Sequence, residues 1–176
     1  MYNGNLVRLR AYEKNDLEIA RKFVNDPEVK KYLIPGIPFP LRVDDEEKWY
    51  NSLNPFGKGE YSFAIERIED GKYIGGCGIN KVDWKNSVAE VGIFLGKTYW
   101  NKGYGTDAMR VLVNFVFNEM NVNKVKLEVF SFNERAIRSY EKVGFKREGV
   151  LREEIFRNGK YYNVIVMGLL RREWNS

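Results

Sequence analysis

Glu90-Val91-Gly92-Ile93-Phe94-Leu95-Gly96-Lys97-Thr98-Tyr99-Trp100-Asn101-Lys102-Gly103-Tyr104-Gly105-Thr106-Asp107-Ala108 is the stretch on which the rest of the chain turns. Its first part reads as a buried strand, because Val91, Ile93, Phe94 and Leu95 offer apolar side chains to both faces. Its last part opens a helix, since Met109, Leu112, Val113, Val116 and Met120 recur at spacings of three and four. Between them lies a glycine-spaced loop with Lys102. The start of a helix carries unpaired N–H groups and a partial positive charge, and glycines let an anion approach them. The loop therefore reads either as a pyrophosphate cradle or as a plain strand-to-helix joint with permissive glycines.

The 176 residues fit one domain, 1–176, with room for a hydrophobic core. No apolar run has membrane-spanning length, and the N-terminus lacks a signal-peptide pattern, so no membrane partner is expected. A single cysteine, Cys77, permits no internal disulfide and suits a reducing, cytoplasmic compartment. The net charge of +5 is modest and its Lys and Arg are scattered, so no nucleic-acid partner is expected. Histidine is absent, which excludes a Ser-His-Asp or Cys-His arrangement. Zinc sites need His or several Cys, so no metal is expected. Chemistry in this chain has to use carboxylates, tyrosines, lysines, backbone groups or a bound cofactor.

Taken in order, residues 6–12 alternate Val7, Leu9 and Ala11 with Leu6, Arg8 and Arg10, the pattern of a half-buried first strand. Asn15 or Asp16 can cap a helix covering Leu17, Ala20, Phe23 and Val24, with Pro27 at its exit. Residues 32–40, with Pro35, Pro38 and Pro40, read as a shaped loop. The run Asp44-Asp45-Glu46-Glu47 opens a second helix with Trp49, Tyr50 and Leu53. Its carboxylates either stabilise the helix dipole or attract a cationic substrate. Strands are expected over 60–67, 73–83, the central stretch from Val88, 124–130, 145–156 and 161–170, with hairpin turns at Asp70-Gly71 and Asn158-Gly159. Gly75, Gly76 and Gly78 suggest bulges or close backbone approach. Cys77 among them is either a small buried side chain or a nucleophile in need of a base. A short helix over 133–143 ends at Gly144. The helix between the central strand and 124–130 makes a parallel crossover, so the fold class is mixed α/β with mostly antiparallel pairing.

Gly103-Tyr104-Gly105-Thr106-Asp107-Ala108 also matches the dinucleotide fingerprint, with Glu128 about 20 residues on as a ribose acid. Gly96 through Lys102 intervene between strand and glycines, and hairpins replace the repeated βαβ units that fold requires. This makes a dinucleotide-binding oxidoreductase the weaker alternative.

The stretch 89–108, together with Asn133-Glu134-Arg135-Ala136-Ile137-Arg138-Ser139-Tyr140-Glu141-Lys142-Val143-Gly144-Phe145, resembles the GNAT superfamily of N-acetyltransferases. The likeness is greatest to the branch holding Rim-type ribosomal-protein N-terminal acetyltransferases and spermidine N-acetyltransferases, and it extends over nearly the whole chain. It implies the GNAT acyl-CoA N-acyltransferase fold: a central, mostly antiparallel sheet of about seven strands, a parallel βαβ unit and flanking helices. It also implies acetyl-CoA as donor and a primary amine, small or at a peptide N-terminus, as acceptor. Dimers are common in the family, so a homodimer is the implied oligomer.

By position, the family's pyrophosphate loop falls on Trp100, Asn101, Lys102, Gly103, Tyr104 and Gly105, running into Thr106. Trp100 stands where Gln or Arg is usual, although many Rim-like members have tryptophan there. Backbone N–H groups and Lys102 then have to hold the phosphates. Ile93, Phe94 and Leu95 match the strand edge that bonds the pantetheine arm, and Asn133 matches a contact to the same arm while also suiting a helix cap. Tyr140 matches the tyrosine aimed at the sulfur; as a helix residue it equally suits burial with its hydroxyl satisfied. Glu90 matches a carboxylate able to take the amine's proton, and otherwise reads as a strand-end charge. A backbone N–H within 93–95 meets the oxyanion, and transfer is direct, in a ternary complex. The same resemblance admits a CoA-binding sensor or scaffold without catalysis. Residues 32–40 line the acceptor side in this reading.

Overall fold

A computed structural model describes residues 1–33, 36–57 and 59–174. The strands are β1 (Tyr2–Asn3), β2 (Val7–Arg10), β3 (Tyr61–Arg67), β4 (Tyr73–Asp83), β5 (Val88–Leu95), β6 (Lys124–Phe130), β7 (Lys146–Arg157) and β8 (Lys160–Leu170). The helices are α1 (Asp16–Asn25), α2 (Pro27–Lys30), α3 (Val43–Ser52), α4 (Tyr104–Glu119) and α5 (Glu134–Val143). The described strands form one sheet of eight, ordered β1-β2-β3-β4-β5-β6-β8-β7. Neighbours pair antiparallel except β5 with β6, which are parallel because α4 carries the chain back across the sheet.

Strand alternation assigns the two faces. Ala89 and Val91 of β5 and Val125, Leu127 and Val129 of β6 pack with Met109, Leu112, Val113 and Val116 of α4 and with Ile137 and Tyr140 of α5. The intervening residues turn to the other face. There Phe94 joins Tyr12, Ala20, Phe23 and Tyr73, beneath α1 and α3. The Asp70-Gly71 and Asn158-Gly159 turns form as the sequence predicts, with Gly71 at φ +69° and Asn158 and Gly159 at +49° and +77°. Gly144 ends α5 at φ +116°.

The feature that shapes the site is a parting of the sheet. β5 pairs with β6 only through Val88, Ala89 and Glu90, opposite Lys124, Val125 and Lys126. β5 then runs on to Leu95 and β6 to Phe130 without pairing to each other, while β6 stays paired with β8. On its other side, β5 faces a register shift in β4. Ile79 opposes Val91 and Lys81 opposes Glu90, leaving Asn80 as the extra residue. Such a bulge bends and twists its strand pair. It sits level with the last β5–β6 pair, so β5 curves away at that point.

Several sequence expectations are corrected here. The sheet has eight strands instead of about seven, because Tyr2–Asn3 adds a two-residue edge strand too short to carry a hydrophobic pattern. Gly75, Gly76 and Gly78 meet the sequence reading: the β3–β4 register shifts beside Gly75, with Ile74 as the extra residue, apart from the bulge at Asn80. They permit close approach: a Cβ on Gly76 would overlap the Tyr12 hydroxyl, and one on Gly75 the carbonyl of Phe94. Neither Asn15 nor Asp16 caps α1. Asn15 makes no cap hydrogen bond, and Asp16 is held by Arg10 at 2.7 Å and the Glu13 N–H at 2.8 Å. Pro27 ends α1 by opening α2, capped by Asp26. The 32–40 stretch has no helix or strand among its described residues; positions 34 and 35 lie outside them.

One tie was invisible in the sequence. Asp107, 9% exposed in the first turn of α4, accepts the backbone N–H groups of Asn5 (3.2 Å), Leu6 (2.7 Å) and Val7 (3.0 Å). It pins the start of β2 to the helix that carries the glycine loop. Asp107→Ala leaves those donors without their charged acceptor. We expect it to lower the unfolding free energy by about 3 kcal/mol in chemical denaturation.

Candidate active site

A cleft of about 940 Å³ opens at the parting. One wall is the loop and first turn of α4. A 3₁₀ turn at Lys97–Tyr99 follows β5, and Asn101 and Gly103 then adopt φ of +59° and +84°. Gly103 precedes α4 with no side chain capping it. The N–H groups of the first turn therefore point out of the helix end, where Gly103, Gly105 and Thr106 line the cleft. Thr106 Oγ1 lies 2.8 Å from Ser139 Oγ, tying α4 to α5 across the cleft floor. Of the loop positions quoted above, Tyr104 alone does not line the cleft; its ring stands 6.3 Å from that of Tyr99.

The second wall is the free edge of β5. The N–H of Gly96 donates to Ile74 of β4 at 3.0 Å, so Gly96 faces β4. Alternation then directs the backbone groups of Leu95, Ile93 and Val91 into the parting and those of Phe94 and Gly92 toward β4. The carbonyl of Leu95 accepts the Trp100 indole N–H at 2.9 Å, in keeping with this direction. The Glu90–Lys126 pair closes the ladder on the Val91 N–H, and beyond it no described strand pairs the Val91 carbonyl or the backbone of Ile93 on that side.

Trp100 anchors the loop to the strand and also presents a surface. The Arg135 guanidinium lies 3.5 Å from the centre of its ring and 5.3 Å from that of Tyr32. Arg135 makes no ion pair among the described residues, and its pKa is lowered, chiefly by desolvation. It lines the cleft with Lys102, Arg138 and Lys142. The sequence reading missed Arg135. Its closeness to Trp100, 35 positions earlier, depends on α5 packing beside the loop.

The third wall is α5. Asn133 caps it, its side chain accepting the Ala136 N–H at 3.3 Å, and also lines the cleft. Tyr140 is 8% exposed, lines the cleft, and its hydroxyl makes no hydrogen bond to a described residue. Burial raises its pKa to about 12 against a smaller opposing pull from Arg135.

On the opposite sheet face, alternation places Glu90 and Glu128, and both line the cleft. Glu90 pairs with Lys126 at 3.4 Å. The acidic run opening α3 divides in two. Asp45 and Glu46 both line the cleft, but Asp45 reaches back to the Arg42 N–H at 2.9 Å and caps the helix, whereas the Glu46 carboxylate turns inward without such a bond. Cys77 is 6% exposed in the core, and burial pushes its thiol well above the usual range. No described base stands ready to ionise it.

With this geometry in place, comparison with known proteins identifies the chain. The family model for the acetyltransferase (GNAT) domain matches residues 7–146. An uncharacterized N-acetyltransferase of Bacillus licheniformis is 31% identical over 94% of this chain and 93% of its own length. The spermidine N(1)-acetyltransferase of Escherichia coli K12 is 29% identical over 99% of this chain and 91% of its own. Among solved structures, the spermidine N-acetyltransferase of Vibrio cholerae, in complex with CoA and spermine, superposes with a TM-score of 0.86. It is 27% identical, over 96% of this chain and 97% of that one. The chain belongs to the GNAT acetyltransferase family, and its sheet of eight strands with one parallel pair is the fold of that family.

Because Cys77, although it borders the cleft, is 6% exposed and un-ionised, Cys77→Ala is expected to leave acetyl transfer unchanged. A coloured disulfide reagent should label Cys77 only after denaturant is added.

Proposed function

We propose that this GNAT member moves an acetyl group from acetyl-CoA directly onto a primary amine held in the same cleft. The carrying observation is the unpaired backbone of Ile93, with the Val91 carbonyl, in the parting. Exposed strand edges bind extended, amide-bearing chains by adding hydrogen bonds, and the pantetheine arm of CoA is such a chain. The fit extends to the phosphates: the open amides at Gly103–Thr106, with Lys102 and Arg135 beside them, offer both dipole and charge to a diphosphate. Arg135 supplies the cation that Trp100 omits from the loop. Asn133 has a second acceptor lone pair left after its cap bond.

Acetyl-CoA supplies a thioester carbon that needs no further activation by a side-chain nucleophile. The chain's residues have two proton tasks. An amine with a pKa of about 10 arrives protonated and has to lose that proton before it can attack. Glu90, on the acceptor face at the mouth of the parting, takes it, directly or through water. Lys126 pairs with that carboxylate at 3.4 Å and holds it at the mouth of the parting. Tyr140 donates to the departing sulfur from the opposite face; its raised pKa keeps the phenol protonated throughout the neutral range. The Ile93 N–H, aimed into the gap, meets the oxyanion. Spermidine, the acceptor in the names of the two relatives above, is the first amine to test, with peptide N-termini beside it. The lone buried cysteine suits the cytoplasm.

Thiol release with a panel of polyamines, amino acids and peptides tests the reading; no release with any amine would leave a CoA-binding protein without catalysis. Tyr140→Phe is expected to lower kcat by about 100-fold while leaving acetyl-CoA affinity little changed. In the wild type, the alkaline fall in kcat that loss of an ordinary phenol proton would cause near about pH 10 should be absent, because a raised pKa keeps the donor protonated to higher pH.

A further inference from the structure

Glu46 is a buried carboxylate for which the mechanism has no use. It is 7% exposed, on the inward face of α3, and lines the cleft. Among the described residues it makes no hydrogen bond and no ion pair, unlike Asp45 beside it, which is occupied by Arg42. The opposing charge acting on it is Arg21, beyond ion-pair distance, and desolvation raises its pKa. Beside it in the cleft stand Tyr12 and Trp49, their rings edge-to-face at 4.9 Å. The Tyr12 hydroxyl is turned toward that of Tyr73, at 3.5 Å. The corner thus presents a carboxylate and aromatic surface, the pair of features that suits an organic ammonium.

Resting on the acetyl-transfer reading above, we propose that Glu46 binds the second, non-reacting ammonium of an acceptor that carries two or more amines. The reacting amine is not its ligand. A buried carboxylate against that nitrogen would hold it protonated and unable to attack, and Glu90 lies on the sheet at the parting while Glu46 lies on a helical wall. The cleft's charges agree with a bipolar pair of substrates. Lys102, Arg135, Arg138 and Lys142 belong to the α4 loop and α5, whereas Glu46, Asp45 (already paired with Arg42), Glu90 and Glu128 belong to α3 and the opposite sheet face. An acceptor with one charged nitrogen leaves Glu46 buried without a partner, so the pocket discriminates by charge count as well as by size.

Calorimetry on the CoA-loaded protein, in which no turnover occurs, reads this directly. Wild type should bind 1,6-diaminohexane more tightly than hexylamine. Glu46→Gln should weaken the diamine by about tenfold or more and leave hexylamine unchanged, erasing the preference. Glu46→Asp, which keeps the charge, should fall between the two, and melting curves establish that each variant is folded. A wild type without preference, a Glu46→Gln protein that retains it, or displacement of the diamine by a tighter-binding peptide with a neutral side chain would each overturn the assignment. Diamine binding that depends on Glu46 without CoA release from acetyl-CoA would instead sink the catalytic reading and leave Glu46 standing.

Discussion

The hydrogen-bond ladder between β5 and β6 stops at Glu90 and Lys126, and the rest of the molecule is arranged around that interruption. Strand backbone left unpaired within a fold is costly unless something hydrogen-bonds to it. Here the interruption is built in. Asn80 adds a residue to β4 opposite the last parallel pair, and β5 follows the bend. Its side chain lies against Gly92, where a Cβ would sit 3.0 Å from the amide nitrogen. The gap is then framed on both sides: the Trp100 indole holds the loop to Leu95, and the Thr106–Ser139 contact holds α4 to α5. These ties keep the two walls apart without letting them drift.

The parting connects the two faces of the sheet, which differ in charge. Helix ends and cations from α4 and α5 occupy one, carboxylates and aromatics the other. A long anionic donor and a cationic acceptor can therefore approach from opposite faces and meet where the strands separate. The proposed proton acceptor and proton donor are divided in the same way, Glu90 on one face and Tyr140 on the other. Burial has pushed the Tyr140 pKa to about 12, which suits the proton-donor role proposed for it.

Most of the fold was legible because it is local. Period-two and period-3.6 patterns located β4 and β6 to the residue and the apolar face of α4, and the Asp70-Gly71, Asn158-Gly159 and Gly144 signals fixed three chain reversals or ends. The glycine loop was legible as a motif, and its residues except Tyr104 line one cleft. What escaped depends on distant partners. Asp107 looks like an ordinary first-turn acid until β2 arrives over it. Arg135 looks like a surface charge until α5 lays it on Trp100. The acidic run at the start of α3 looked uniform, yet helical geometry sends Asp45 back to its own cap and Glu46 into the cleft. The bulge at Asn80 escaped for another reason: the neighbouring glycines are the louder signal, and they mark the register shift at Ile74 and close backbone contact.

Residue-resolved amide exchange with and without acetyl-CoA tests the central claim most directly. If the donor's arm completes the interrupted strand edge, the amide of Ile93 and those of the first turn after Gly103 gain protection. Gly92 and Phe94, already turned toward β4, change little, and the β7–β8 hairpin does not respond. Protection confined to other parts of the molecule, with Ile93 exchanging as fast in the presence of acetyl-CoA as in its absence, would contradict the account.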